Sequence, residues 1–194
     1  EHLEAKNHQL ALHQLYKLVQ EGYILNDSDI LKLHELVLHG IEEDFAGRLR
    51  TSGVRISGAN FIPPNALKVS QFLDELISFV NDNPLQLNDI ELVTIFHHRF
   101  VWIHPFIDGN GRTVRLTFNL HLMRERFPPV IILKNDRKKY YDALNQANNG
   151  NYQKLTLLMC QALERTVNIY LTSIPSDNDE DYQSSNSNFK TIPF

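Results

Sequence analysis

The segment from His104 to Arg115 concentrates side chains that can do chemistry on a phosphate group. Its two glycines, Gly109 and Gly111, stand where a turn would open a helix, and such a turn points unpaired backbone N–H groups at one spot. The positive end of the helix dipole acts in the same direction, so the turn predicts an anion site. Arg112 and Arg115, three residues apart on one helix face, would add two guanidinium groups suited to phosphate oxygens.

Two further side chains would give this anion site a reaction. Asp108 supplies a carboxylate, and Mg²⁺ commonly binds through one or two carboxylates together with the substrate's phosphates. His104 comes four residues earlier and has an ordinary pKa of about 6.5, as a general base requires. The combination predicts phosphoryl or nucleotidyl transfer. The alternative is a plain turn between helices, with Asp108 as a cap and His104 buried, and it requires the whole string to coincide by chance.

The elements that must position this segment are predicted to be helices. Apolar residues recur at helical spacing in seven stretches, several of them bounded by caps or stop signals. The exception is the stretch between Gly47 and Pro63, where Val54 and Ile56 alternate with polar residues between glycines, which predicts a short strand or hairpin. We therefore expect an all-α fold with one short β-hairpin. The helical stretches are 3–20, 26–40, 69–80, 88–104, 111–126, 136–148 and 152–171. The second has alternative N-caps at 26–28.

Composition excludes several classes of protein. The 194 residues are 42% hydrophobic and 22% charged, which supports a folded core, and the net charge of −4 does not suggest nucleic-acid or anionic-membrane binding. No apolar run reaches the roughly 18 residues of a membrane span, and no signal peptide is visible. The single cysteine, Cys160, is expected in the core and fits a reducing, cytoplasmic setting. Residues 173–194, rich in Ser, Asn and Asp, read as a tail or linker.

The string from His104 to Arg112, HPFIDGNGR, resembles the signature of Fic-domain proteins, most of which transfer AMP from ATP to a protein hydroxyl. The likeness extends over about residues 1–172. The stretch from Gly47 to Pro64 resembles the family's flap, a β-hairpin that aligns an extended target segment over the active site. The stretch from Phe127 to Pro129 and the later tyrosine pair resemble the family's following helices. The resemblance implies a Fic-fold helical domain at 1–172 and a cytoplasmic protein adenylyltransferase that carries out AMPylation.

The resemblance also implies a role for each residue of the site. His104 would be the general base that deprotonates a Thr, Tyr or Ser hydroxyl of the target, whose oxygen then attacks the α-phosphate of ATP and releases pyrophosphate. Asp108 would hold Mg²⁺ on the α- and β-phosphates, and Arg112 would clamp the β- and γ-phosphates. Further nucleotide contacts are expected from Gly109, Asn110, Gly111, Thr113, Arg115, Tyr140, Tyr141 and Asn148, and contacts with the target from the flap residues Val54, Arg55, Ile56, Ser57 and Gly58.

Several alternatives stay open. The chain could be a module of the same fold that binds nucleotide and peptide without turnover, or it could transfer another phosphate-containing group. Tyr140 or Tyr141 singly could equally be helix core. The expected partners are ATP and a target protein, without nucleic acid or membrane, and a homodimer is an open option. Of the other histidines, His97 and His98 are expected to have core or exposed roles without chemistry, and His34 is expected at the surface.

Overall fold

The computed structural model describes residues 2–20 and 24–174. Within them the chain folds into seven α-helices, with single 3₁₀ turns at Ala66–Lys68 and Lys134–Asp136. Each helix coincides with one of the seven stretches predicted from hydrophobic spacing, so the helical class is confirmed. The helices are α1 His2–Gln20, α2 Asp27–Leu38, α3 Val69–Asp82, α4 Asp89–Ile103, α5 Asn110–Arg124, α6 Arg137–Ala147 and α7 Gln153–Ser173.

Local signals in the sequence explain where the key helices begin and end. Asn26 and Asp29 form a capping box at the start of α2, in which each side chain accepts the other residue's backbone N–H. Asn88 caps α4 by accepting the N–H of Glu91. At the other end of α4, His104 adopts the left-handed conformation, with φ of 50°, and the helix stops before Pro105.

The core consists of two buried clusters that meet at α4 and α5. The larger lies among α1 to α5 and includes Phe96, Phe100 and Phe106, which are completely or almost completely buried. The smaller packs α6 and α7 against Val93 of α4 and Phe118 of α5. Each large apolar side chain contributes about 1.5–3 kcal/mol when fully buried. Because Phe106 lies within the connection from α4 to α5, the core fixes that connection in place.

The predicted hairpin between Gly47 and Pro63 is not seen, because the described residues contain no strand at all. The stretch is irregular, with a turn in which the N–H of Ala59 donates to the carbonyl of Ile56, at 3.2 Å. The alternation that suggested a strand is nevertheless present, since Val54 and Ile56 are half-buried and Arg55 is exposed. A lone two-stranded hairpin is marginal, and here side-chain burial orders the segment without a ladder of backbone hydrogen bonds.

Three other expectations concern regions away from the site. No helix in the described part of the chain combines the length and the apolar character needed to cross a membrane. Cys160 is exposed on α7, so its expected place in the core is wrong. The predicted tail at 173–194 lies almost wholly outside the described residues, and α7 continues to Ser173.

Candidate active site

The connection between α4 and α5 is a tight turn closed by one buried side chain. Asn110, which is 4% exposed, accepts the N–H of Phe106 at 3.0 Å through Oδ1 and donates Nδ2 to the carbonyl of the same residue at 2.9 Å. Gly109 precedes α5 with φ of 76°, a conformation that favours glycine. The side chain of Asn110, predicted to contact nucleotide, thus shapes the turn, and only its backbone amide is left for a ligand.

The first amides of α5 are free to bind an anion. The N–H of Thr113 is the first to find a partner, donating to the carbonyl of Gly109 at 2.9 Å. Within the described residues, the N–H groups of Asn110, Gly111 and Arg112 have no hydrogen-bond acceptor. They lie at the positive end of the helix dipole, so together they form the anion cradle that the glycine spacing predicts.

His34 of α2 packs against this turn, although the sequence analysis expected this histidine at the surface. Its ring is completely buried and stacks on Phe106 at a centroid distance of 3.6 Å. Its Nε2–H donates to the carbonyl of Asp108 at 2.9 Å, and its Nδ1 accepts the N–H of Gly47 at 3.0 Å. Burial lowers the pKa of His34 to about 4, so the ring stays neutral. A side chain at Gly109 would come within 3.0 Å of this ring, a second reason for glycine there.

Arg50 ties the flap segment, residues 47–64, to the turn between α4 and α5. It is 3% exposed, and its guanidinium donates to the carbonyls of His104, Ser52 and Pro64 at 2.8, 2.9 and 2.6 Å. Its own N–H donates to the carbonyl of Pro105 at 2.9 Å. One buried cation therefore donates to the carbonyls of three residues that lie outside the helices. A single arginine in the stretch gives no sequence signal of that role.

The imidazole of His104 stands at the end of α4 in a desolvated setting. The residue is half-buried, and its Nδ1 is buried without a hydrogen bond of good geometry among the described residues. Burial lowers the pKa of His104, and this outweighs the nearby carbonyl of Val101 and the carboxylate of Asp108, which act in the opposite direction. A lowered pKa keeps the ring neutral near pH 7, the form in which it can accept a proton.

The two arginines of the motif are in different electrostatic states. Arg112 is already engaged, since its Nη1 contacts Oε1 of Glu4 and its Nη2 contacts Oδ2 of Asp108, both at 2.8 Å. Arg115 has no hydrogen bond or ion pair within the described residues and lies beside Gly111, the second glycine of the turn. Arg115 is therefore a cation ready for phosphate, whereas two carboxylates already neutralise Arg112 and would compete with phosphate for it.

We expect Glu4→Gln to tighten ATP binding by up to about fivefold, because surface ion pairs of this kind contribute about 0.2–1 kcal/mol and Glu4 competes with phosphate for Arg112. Titration calorimetry of ATP on the two proteins measures this. Glu35→Gln is the matched control, since Glu35 forms an ion pair with Lys32 at a similar exposure, 49% against 48% for Glu4. Unchanged or weaker binding by Glu4→Gln would show that the carboxylate does not compete with nucleotide.

A small pocket between the flap segment and α6 contains two of the residues predicted to contact the nucleotide. Tyr141 and Asn148 line it, opposite Ile56 and Gly58. Oδ1 of Asn148 accepts Nε2–H of His98 at 2.9 Å, which gives that histidine a place in the pocket wall. This pocket is small, about 50 Å³.

Two predicted nucleotide contacts lie in the core instead. Tyr140 is 9% exposed, and its hydroxyl is hydrogen-bonded to Nε2 of His97 at 2.8 Å. Burial raises the pKa of Tyr140, and the tyrosine does not line the pocket. Thr113 is completely buried, with its hydroxyl facing no partner within the described residues. The core interpretation left open for Tyr140 fits this geometry, and the side chain of Thr113 is buried as well.

Comparisons with known proteins agree with this geometry. Residues 24–122 match the Fic/DOC family. Protein adenylyltransferase Fic of Nematostella vectensis is 38% identical over 161 residues, covering 80% of this chain and 36% of that protein. Protein adenylyltransferase fic-1 of Caenorhabditis elegans is 34% identical over 163 residues, covering 84% of this chain and 32% of that protein. A solved structure of Fic-1 from C. elegans has a TM-score of 0.79 at 32% identity and covers 88% of this chain and 51% of that one.

The share of each chain that the comparisons cover decides which conclusions they support. The chain spans about a third of the length of the two curated relatives. The family match covers just over half of the chain, and it contains α4, the turn with its free amides and most of α5. The solved Fic-1 structure extends the likeness to the rest of the helical fold. The chain therefore belongs to the Fic/DOC family.

Proposed function

We propose that this chain is a protein adenylyltransferase, which moves AMP from ATP to a hydroxyl side chain of a target protein. The observation that carries the proposal is the pairing of free amides at the start of α5 with a neutral imidazole at the end of α4. The curated relatives that cover 80% or more of this chain are named protein adenylyltransferases, which supports the same activity.

The residues in and around the turn have different roles in the proposed transfer. The amides of Asn110, Gly111 and Arg112 bind phosphate oxygens and orient the triphosphate, and Arg115 adds a free cation. His104 accepts the proton of the target hydroxyl, whose oxygen forms a bond to the α-phosphorus while the bond to the bridging oxygen of pyrophosphate breaks. Positioning and charge neutralisation supply most of the rate in such transfers. The base step adds about 10²–10⁴-fold.

Asp108 is the residue that fits a magnesium ion. Its carboxylate is the acidic group of the turn, its side chain is 60% exposed, and it lies two residues before Asn110, the first of the free amides. Magnesium keeps several waters and takes one or two carboxylates plus phosphate oxygens, so a single exposed carboxylate suits it. When bound, the ion would neutralise phosphate charge. Oδ2 of Asp108 now contacts Nη2 of Arg112 at 2.8 Å, so the ion and this guanidinium would share the carboxylate or compete for it.

The flap segment is the proposed docking edge for the target. Arg55, Ser57 and Gly58 are exposed, and no strand pairs with the segment in the described part of the chain. Val54 and Ile56 point inward and anchor it. An extended segment with unpaired backbone groups can accept a target strand through main-chain hydrogen bonds. Cytoplasmic location and homodimer formation remain predictions.

Labelled nucleotides distinguish this proposal from its alternatives. We expect label from [α-³²P]ATP to appear on the chain itself or on a lysate protein, and label from [γ-³²P]ATP not to appear. Chelation of Mg²⁺ with EDTA should abolish the transfer. Transfer of the γ-label would identify a kinase, and transfer only from UTP or CDP-choline would identify a different donor. ATP binding without transfer of any label would identify a binding module.

The acid limb of the pH profile should fall below the ordinary pKa of histidine. Because burial lowers the pKa of His104, the base is neutral down to pH values below 6.5 and loses activity only when pH drops through the lowered pKa. We therefore expect kcat/KM for AMP transfer to be constant from pH 8 to about pH 6.5. Initial rates between pH 5 and 8 provide the measurement. An acid limb centred above pH 6.5 would contradict a desolvated base.

A further inference from the structure

Three potential metal ligands meet at the far end of the α4–α5 pair, away from the candidate active site. Asp89 lies in the first turn of α4, and His121 and Glu125 lie one helical turn apart at the end of α5. One ligand atom from each residue lies within 4.8 Å of the other two. Because residues at positions i and i+4 share a helix face, the imidazole and the second carboxylate project toward the same place.

The imidazole of His121 has a buried nitrogen without a hydrogen-bond partner among the described residues. Nε2 is buried and makes no hydrogen bond within the described residues, and it lies 3.8 Å from Oδ1 of Asp89, too far for one. Burial lowers the pKa of His121 although Glu125 and Asp89 both raise it, and Arg124 lowers it further. A buried polar atom without a partner is destabilising, and a ligand bound at this nitrogen would give it one.

We propose that Asp89, His121 and Glu125 bind a divalent transition-metal ion, with Zn²⁺ as the best fit. One imidazole nitrogen and two carboxylate oxygens are a ligand set that zinc accepts, with a fourth position open to water. Magnesium and calcium prefer oxygen ligands alone. Zinc–ligand bonds of about 2.0–2.2 Å bring ligand atoms to roughly 3.5 Å from one another. The exposed side chain of Glu125 is long enough to close the remaining gap.

The ion would join the start of α4 to the end of α5 and stabilise the fold. At 1.5 Å per residue, Asp89 lies about 20 Å along α4 from the catalytic turn, so the ion would not take part in AMP transfer. Binding to the native state alone raises its stability. Measurements of metal binding and of unfolding therefore test this inference independently of the proposed function.

Thermal unfolding of the full chain, treated with chelator and then titrated with Zn²⁺ alone, tests the site. We expect the wild type to gain several degrees in Tm and His121→Ala to gain none. His39→Ala is the matched control, because His39 pairs with Glu43 at i, i+4 but is 63% exposed and has no third ligand within the described residues. It should respond like the wild type. No gain in the wild type, or an equal gain in His121→Ala, would overturn the proposal.

A spectroscopic experiment covers the case in which His121→Ala does not fold. Asp89→Asn and Glu125→Gln keep side-chain shape, and we expect each to weaken Co²⁺ binding at least about tenfold, since even indirect partners of metal ligands have effects of that size. Co²⁺ serves as a visible probe of the zinc site, and its absorption also reports nitrogen and oxygen ligands. Equal Co²⁺ affinity in both variants and the wild type would assign the metal to other histidines and overturn the proposal.

Discussion

His104→Ala is expected to lower AMP transfer by about 10²–10⁴-fold while ATP binding changes little. The imidazole is the proposed acceptor of the hydroxyl proton, and its lowered pKa keeps it neutral. The phosphate cradle is formed by the amides of α5, which the substitution does not touch. Transfer of label from [α-³²P]ATP gives the rate, and titration calorimetry gives the affinity for ATP.

Two further variants make this result specific. His104→Asn also lacks a base but tolerates the left-handed conformation at φ of 50° better than alanine does, so it separates loss of the base from strain in the turn. His39→Ala removes an exposed histidine and should leave transfer unchanged. If both His104 variants transfer AMP at the wild-type rate, His104 is not the base. If both lose ATP binding in parallel with transfer, its role is structural.

Arg50→Met is expected to destabilise the fold by about 3 kcal/mol. Methionine retains much of the aliphatic bulk but leaves the carbonyls of His104, Ser52 and Pro64 without their donor, and each unsatisfied buried group costs about 1–3 kcal/mol. For a domain of this size the loss corresponds to a drop in Tm of about 6–12 °C. Urea unfolding monitored by circular dichroism measures it.

Arg55→Met is the control for this experiment. Arg55 lies five residues away in the same stretch, is exposed and has no hydrogen bond or ion pair within the described residues, so its loss should change stability by less than about 0.5 kcal/mol. Arg50→Lys tests geometry further. A lysine keeps the charge but not the planar fork, and it should recover only part of the lost stability. Equal stability of Arg50→Met and the wild type would show that the guanidinium does not hold the turn.

The sequence predicted the helices and the catalytic turn because both depend on local spacing. Seven apolar patterns at helical period correspond to seven helices, and two glycines beside an arginine correspond to the free amides of α5. The hairpin at 47–63 was the main error. Alternation of Val54 and Ile56 reports burial on one side of an extended chain, and it does not report whether a partner strand is present to accept hydrogen bonds.

Other features depended on contacts between residues far apart in the chain. His34 was expected at the surface, yet it is buried. Its ring donates to the carbonyl of Asp108, which lies 74 positions away in the sequence. Glu4 meets Arg112 across 108 positions. Tyr140 and Tyr141 are adjacent in sequence and separate into core and pocket only once α6 packs on α4 and α7. No spacing rule within one segment contains this information.

A crystal structure of the chain with Mg²⁺ and a non-hydrolysable ATP analogue tests the central claim most directly. We expect the phosphate oxygens on the amides of Asn110, Gly111 and Arg112, with the guanidinium of Arg115 against them and Glu4 displaced from Arg112. The imidazole of His104 should face the α-phosphate from the side opposite the pyrophosphate, with space for a hydroxyl between them. A triphosphate bound away from the start of α5, or an imidazole turned from the α-phosphorus, would contradict the claim.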